Sequence, residues 1–558
     1  MNFLKKALPY FIILALSFLA SKPLLAPGFF PIHDDTQVAR VFEMTKALKD
    51  GMLPVRWSQH LGYGFGYPVF NFYDPFAYYL GGLLGVFGAD ALLATKLMVI
   101  LAILFSSFSM YLFAKEFWGK FGSVLSSALY VFAPYHAVDL YVRGDFAEAW
   151  AYSFIPLIFY GLWKIHKERK WKYVVITSLA FGLTILSHNL TALMVSPFLI
   201  LFAFYLYLKT KNKKEMFYFA SAIIFGILIS AFYSLPAILE LNYTNIISQI
   251  GGGADFRDHY VCLNQLWASP WGFGGSVKGC VDGISFMIGK YNIIISSILF
   301  ILSLILLSKK NQKDKEKLLI VVLFFVGFLI SGFLTLDLSR FVWETVKPME
   351  FFQYPWRFLM LIVFFSSFVS GALPWILGNF IKMEWKHALS TTVFIVVVLS
   401  GLKFFSPQTI LNKTASDYTN SYSIKWIASK TSDEYMPKNF RKPQNYSGVS
   451  SFLFLNSKDL QIRNISQKTQ ELNFDLIIGK DMFQVFPLAY FPSWKAYLDG
   501  RKMHISEDEK GIRIDLPKGQ HSFKFIFAQT PIELFSTWFS VLAIVSLFGY
   551  NALKKKHE

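Results

Sequence analysis

Charge is scarce in this chain and cysteine nearly absent. Charged residues make up 16% of the 558 residues, against about 25% in an ordinary soluble domain. That shortage argues against a soluble enzyme of this length. Two cysteines, Cys262 and Cys280, are too few for a disulfide scaffold or a paired-Cys zinc motif. A Walker loop and a Gly-x-Ser-x-Gly elbow are also missing. ATP-driven transport and serine hydrolysis by this chain alone are therefore not expected.

Apolar and aromatic residues are plentiful. The chain is 54% hydrophobic and 18% aromatic, with 60 Phe and 28 Tyr, which suits lipid-facing surface and interfacial belts. Its net charge of +18 invites a nucleic-acid reading. That reading fails because the positive residues sit in short patches between apolar runs. Runs of about 17–25 residues can span a bilayer. They fall at 7–26, 92–114, 121–136, 147–163, 172–187, 189–208, 216–238, 291–307, 317–335, 356–378, 388–405 and 534–551, about 12 helices. Lys5 and Lys6 precede the first run without a small-x-small cleavage site, so it reads as a span rather than a signal peptide.

Lysine and arginine orient these spans. Lys115 and Lys120 share one connection, Lys164 to Lys172 a second, and Lys209 to Lys214 a third. Lys309, Lys310, Lys313, Lys315 and Lys317 form a fourth cluster, joined by Lys382, Lys386 and Lys554 to Lys556. All fall on the side of the N-terminus, so both termini are expected in the cytoplasm, with the chain in the cell membrane.

Three long segments then lie outside. In 27–91, residues 36–49 read as an amphipathic helix and 76–87 as an interfacial or re-entrant one. The second, 239–290, is rich in Gly and Trp and holds both cysteines, either bridged or as free thiols. The third, 406–533, has the composition of a soluble domain. Asp499-Gly500 and Pro517-Lys518-Gly519 mark turns, and Ile512, Ile514 and Leu516 alternate with polar residues. The fold class expected is a mainly α polytopic membrane protein. Its spanning domain is 1–405, a β-sandwich-like outer domain is 406–533, and a last span with its tail is 534–558.

Candidate chemistry gathers at the outer ends of the spans. His33-Asp34-Asp35 opens the first loop, and its carboxylates suit proton transfer or a divalent metal. One acid could instead cap the following helix, which leaves the second without that reason to be there. Arg56 and the run Gly62 to Pro68 follow, then Val69-Phe70-Asn71-Phe72-Tyr73-Asp74-Pro75; these aromatics read as a sugar-stacking loop or an interfacial belt. Arg143, Asp145 and Glu148 form a second acidic arm, or a helix-dipole pair. His188 lies at the same depth, and Arg357 suits a lipid phosphate or a snorkelling role.

His33-Asp34-Asp35, Gly64 to Pro68, Arg143-Gly144, Ser187 to Ala192 and Pro355-Trp356-Arg357 resemble the membrane proteins termed 6-pyruvoyl-tetrahydropterin synthase-related. Phe491 to Gly500 is similar to the YfhO family. The whole layout resembles the GT-C glycosyltransferase superfamily. That resemblance implies inverting transfer of a sugar from a polyprenyl-phosphate donor to an envelope glycan, lipid or protein acceptor. Asp34 or Asp35 would be catalytic; His33, Arg56, Arg143, Asp145, Glu148, His188 and Arg357 would bind substrate. Asp34, Asp35, Glu148 and His188 are the candidate ligands of a divalent metal, the only cofactor expected. Membrane lipids are expected partners, and nucleic acid is not. A non-enzymatic transporter or scaffold for lipid-linked glycans, and a glycan polymerase or ligase, stand as alternatives.

Overall fold

The computed structural model describes residues 2–246, 254–309, 314–450 and 455–557. Lys310 and Lys313, counted above among the inner lysines, lie outside these, as do the side chains of Lys554 to Lys556. The architecture is mainly α, with an antiparallel β domain near the C-terminus.

The helices that frame the molecule follow in chain order. They are α1 Asn2–Ser21, α2 Gln37–Lys49, α3 Phe76–Val86, α4 Ala91–Val131, α5 Phe146–Glu168, α6 Trp171–Ser187 and α7 Asn189–Thr210. After these come α8 Lys213–Ile229, α9 Ala231–Leu239, α10 Lys290–Leu307, α11 Lys315–Thr335, α12 Leu359–Ser370, α13 Met383–Leu402 and α14 Pro531–His557. Each predicted span coincides with helix. Eight helices among the described residues are long and apolar enough to cross a membrane, nine if the bent pair α8–α9 counts as one span. Two of the expected spans are the halves of α4, broken at Gly119, whose φ of 69° and ψ of −171° turn the chain between them.

Packing between helices in lipid relies on close fit and hydrogen bonds, because lipid tails are as apolar as the side chains. Nearly every residue of the segment Pro355–Leu377, which contains α12, is buried, and the segment forms the centre. Phe364 and Phe368 meet Phe113 and Phe324 in one ring cluster. Trp118 donates to the Phe368 carbonyl (2.9 Å), and Asn292 donates to Ser367 (2.9 Å).

On the expected outer side, α2 buries Val38, Val41 and Met44 and lies against α3. Glycine on α3 permits this approach: a methyl at Gly82 would sit 2.5 Å from Met44 Cγ. The β domain is a sandwich. One sheet has the order β1-β2-β8-β4-β5, from Leu460–Lys468, Glu471–Ile478, Gly519–Phe527, Trp494–Leu498 and Arg501–Met503. The other has the order β3-β7-β6, from Met482–Phe486, Gly511–Leu516 and Ser506–Asp508. Phe474, Phe486, Phe523 and Phe525 fill the space between the sheets. Asp499 and Gly500 take φ of 49° and 79° and turn β4 into β5, as a two-residue hairpin requires.

Candidate active site

A cavity of about 480 Å³ opens between the helix ends, the first loop and the segment leading into the β domain. Its frame is built by backbone pairing. His33 and Asp34 donate their N–H groups to the carbonyls of Val142 (3.1 Å) and Arg143 (3.0 Å), which pins the first loop onto the turn before α5. Gly144 takes a left-handed φ of 69° and ends that turn, and Gln37 donates to its carbonyl (2.8 Å). Asp145 caps α5 by accepting from the Glu148 N–H (3.0 Å). The dipole reading of this acid therefore holds beside any chemical one.

Arg143 is the hub of a compensated charge cluster. It meets Asp139 at 2.5 Å, Asp145 at 2.9 Å and Glu148 at 2.9 Å, and lies over the Trp356 ring at 4.7 Å. Glu148 also accepts from Tyr135 Oη and stands 3.6 Å from Arg357 Nε. Burial, then Glu148, push the Asp139 carboxyl well above its usual range. Burial would raise Asp145 too, but Arg143, His188 and Arg357 outweigh it and hold that carboxyl low. Arg357 donates one bond, from Nη1 to the Phe352 carbonyl (2.9 Å); its Nη2 has no partner among the described residues.

Asp34 differs from these acids. It lines the cavity, and its carboxylate has no hydrogen-bond or ion-pair partner among the described residues. Burial and the neighbouring Asp145 push it up to about 6, against the pull of Arg40, Arg143 and Arg357. Such a group changes charge near neutral pH, as a general base must.

The other predicted residues divide. His33, Arg143, Asp145, His188 and Arg357 line the cavity with Asp34. Asp35 does not; burial raises its carboxyl and Lys413 lowers it. It is no helix cap either, since Thr36 holds that position without a side-chain bond. Glu148 lies behind the wall and reaches the cavity through the arginines. Arg56, expected at the substrate, is elsewhere. It is 1% exposed, donates to Asn71 (2.5 Å), Phe232 O (3.0 Å) and Thr537 (3.2 Å), and pairs with Glu533 at 3.8 Å. The physical reason is that a buried guanidinium must be matched by internal acceptors; the first loop, α9 and α14 supply them together.

The metal reading shifts as well. Asp145, Glu148 and His188 bring donor atoms within 4.8 Å of one another, without Asp34 or Asp35. Imidazole and carboxylate suit a divalent ion. Arg143, however, already pairs with both carboxylates, so an ion there would compete with its guanidinium.

Four polar residues escaped the sequence reading. Asp74 accepts from Tyr233 Oη (2.8 Å) and the Asn189 N–H (3.1 Å), and burial pushes it up to about 7. Arg40 donates to Ser432 (2.7 Å), which donates in turn to Glu434 (3.0 Å). All four line the cavity. The Tyr-Asp-Pro string held the signal for Asp74, masked by its aromatic neighbours.

The chain thus combines a helical membrane domain, a β-sandwich and a polar cavity lined by helix ends, outer loops and the segment 431–435. Residues 70–250 match the family described as 6-pyruvoyl-tetrahydropterin synthase related domain; membrane protein. It is the family whose motifs the sequence resembles. An uncharacterized protein of Lactococcus lactis subsp. cremoris is 28% identical over 243 residues, 42% of this chain and 39% of that one. Two solved structures are similar at low identity. The Archaeoglobus fulgidus oligosaccharyltransferase tethered with an acceptor peptide is 11% identical with a TM-score of 0.48, over 81% of this chain and 61% of that chain. ArnT from Cupriavidus metallidurans bound to undecaprenyl phosphate is 11% identical with a TM-score of 0.36, over 76% and 77%. The chain thus spans well under half of the Lactococcus protein and less than two thirds of the oligosaccharyltransferase.

Proposed function

We propose that the protein is a membrane glycosyltransferase of the GT-C type. It transfers a sugar, with inversion, from a polyprenyl-phosphate donor to an envelope glycan, lipid or protein acceptor on the extracytoplasmic face. The positive-inside pattern supports that orientation, with both termini in the cytoplasm of a cell-membrane protein. The observation that carries the reading is the lone Asp34 carboxylate in a polar cavity, beside an arginine with an unused N–H group.

In this mechanism Asp34 accepts the proton of the acceptor hydroxyl. The hydroxyl oxygen bonds to the anomeric carbon as the bond from that carbon to the phosphate oxygen breaks. Arg357 takes the charge of the departing polyprenyl phosphate. Arg143 is fully engaged by three acids and acts by holding Asp145 and Glu148 in place. Asp35 and a metal ion have no step.

The test is mass spectrometry of envelope glycans and lipid-linked sugars in a null strain complemented with wild type or Asp34→Asn, at equal membrane abundance. Loss of one sugar modification, restored by wild type alone, supports transfer through Asp34. Full restoration by Asp34→Asn overturns the mechanism and favours the transporter or scaffold reading.

A further inference from the structure

A second cavity, of about 860 Å³, lies between the N-terminal end of α10, the C-terminal end of α13 and the second half of α4. Its walls are mostly apolar, with Leu129, Phe132, Trp271, Ile294, Val397 and Phe404 among them. It shares no lining residue with the Asp34 cavity.

Two lysines line it and no acid does. Lys290 opens α10 and Lys403 follows α13; both are exposed. Neither is ion-paired among the described residues; Lys290 stands 5.5 Å over Trp267 and Lys403 4.8 Å over Phe404. The nearby acid Asp282 is occupied by Ser269 (2.5 Å) and Gln265 (2.9 Å). Trp271 Nε1 is buried with no hydrogen-bond partner among the described residues.

These lysines are exceptions to the chain's own charge pattern. Most of the basic residues flanking its spans fall on the inner side, yet these two sit at outer ends. Lys290 is also the first residue of a helix, where the backbone dipole disfavours a cation. Distant parts of the sequence converge to put both charges on one apolar cavity. An interfacial cavity with a cationic rim complements a headgroup phosphate on an acyl chain.

We propose that this cavity binds an anionic phospholipid of the outer leaflet, with its phosphate between Lys290 and Lys403 and an acyl chain along Trp271 and Phe404. The proposal rests on the outward orientation, not on glycosyl transfer. Since the site shares no lining residue with the Asp34 cavity, its lipid is not a reacting donor. It does share a covering segment. Met287 and Trp271 face the lipid site, while Ser276 and Ile284 line the Asp34 cavity and His33 donates to the Phe273 carbonyl (3.0 Å). An occupant would steady the roof of the active site.

The test is native mass spectrometry of the full chain released from nanodiscs containing palmitoyl-oleoyl phosphatidylglycerol and the matching phosphatidylcholine. Retention of the glycerol lipid over the choline lipid by about thirtyfold is expected from two interfacial lysines. Lys290→Gln with Lys403→Gln should abolish that preference, and Lys382→Gln with Lys386→Gln should keep it. Equal retention of both lipids by wild type overturns the proposal, as does an unchanged preference in the outer double variant. Displacement of the glycerol lipid by millimolar inorganic phosphate also overturns it, because a soluble anion would then be the occupant. None of these readouts depends on sugar transfer, so they stand or fall apart from the enzymatic reading.

Discussion

Two buried arginines, Arg56 and Arg143, occupy similar chemical settings and have opposite relations to the cavity. Arg143 faces three carboxylates within 2.9 Å and shares the wall with Asp34 and Arg357. Arg56 meets Glu533, Asn71 and Thr537 in a closed network, while the nearby Glu240 is bound by Thr530 and Asn71. Both satisfy the requirement that a buried charge be matched. One network faces a space large enough for a ligand, and the other fastens the first loop and α9 to α14. Arginine at an outer loop therefore identifies a buried partner, and only the cavity distinguishes a site from a fastening.

The sharpest test of that difference is the acid with no partner. Asp34→Asn is expected to lower transfer by about a thousandfold, the range for a lost general base. It should also raise the melting temperature at neutral pH, because an unpartnered, half-buried carboxylate is lost. Thermal unfolding of the purified variant, beside the glycan assay, measures both.

Next come the arginines. Arg143→Gln and Arg56→Gln should each cost about 3–5 kcal/mol of stability by leaving acids uncompensated. Adding Glu533→Gln should recover part of the loss for Arg56 alone. Transfer per folded molecule should survive in the Arg56 variant and fail in the Arg143 variant. Equal activity loss in both would break the comparison.

The pH dependence has a definite sign. Transfer should rise with pH through about 6, because only ionised Asp34 accepts a proton. Stability should move the other way. The folded carboxyl, raised from 3.8 to about 6, binds a proton across that window while the unfolded one does not. Its contribution therefore falls as pH rises through the window, by about 1–3 kcal/mol. Asp34→Asn should remove both trends, seen in melting curves and rates from pH 4 to 8.

The smallest effect concerns the roof. Cys262 and Cys280 form a disulfide, with Cα atoms 5.5 Å apart. It closes the segment that carries Phe273 and Ser276. Cys262→Ser with Cys280→Ser should lower transfer a few-fold in the glycan assay, with little change in the helical domain.

The spans were legible because bilayer thickness sets a minimum apolar length that few other structures require. The β domain was legible through alternation and Asp-Gly chemistry. Asp34, Arg143, Asp145, His188 and Arg357 stood out because charge beside a bilayer is scarce and needs a reason. Arg56 misled for that same reason: Glu533, its partner, lies 477 positions away, and proximity of that kind leaves no local pattern. Ser432 and Glu434 stayed hidden because they sit in irregular chain, where neither periodicity nor hydropathy marks an inward-facing residue.

The Arg56 network has a consequence for how the protein is made. Arg56 is translated early, and the carboxylate and carbonyl of Glu533 that engage it emerge 477 residues later. Until α14 has entered the bilayer, the first loop carries an arginine whose main counter-charge does not yet exist. The loop's final packing is thus deferred to a late stage of biogenesis.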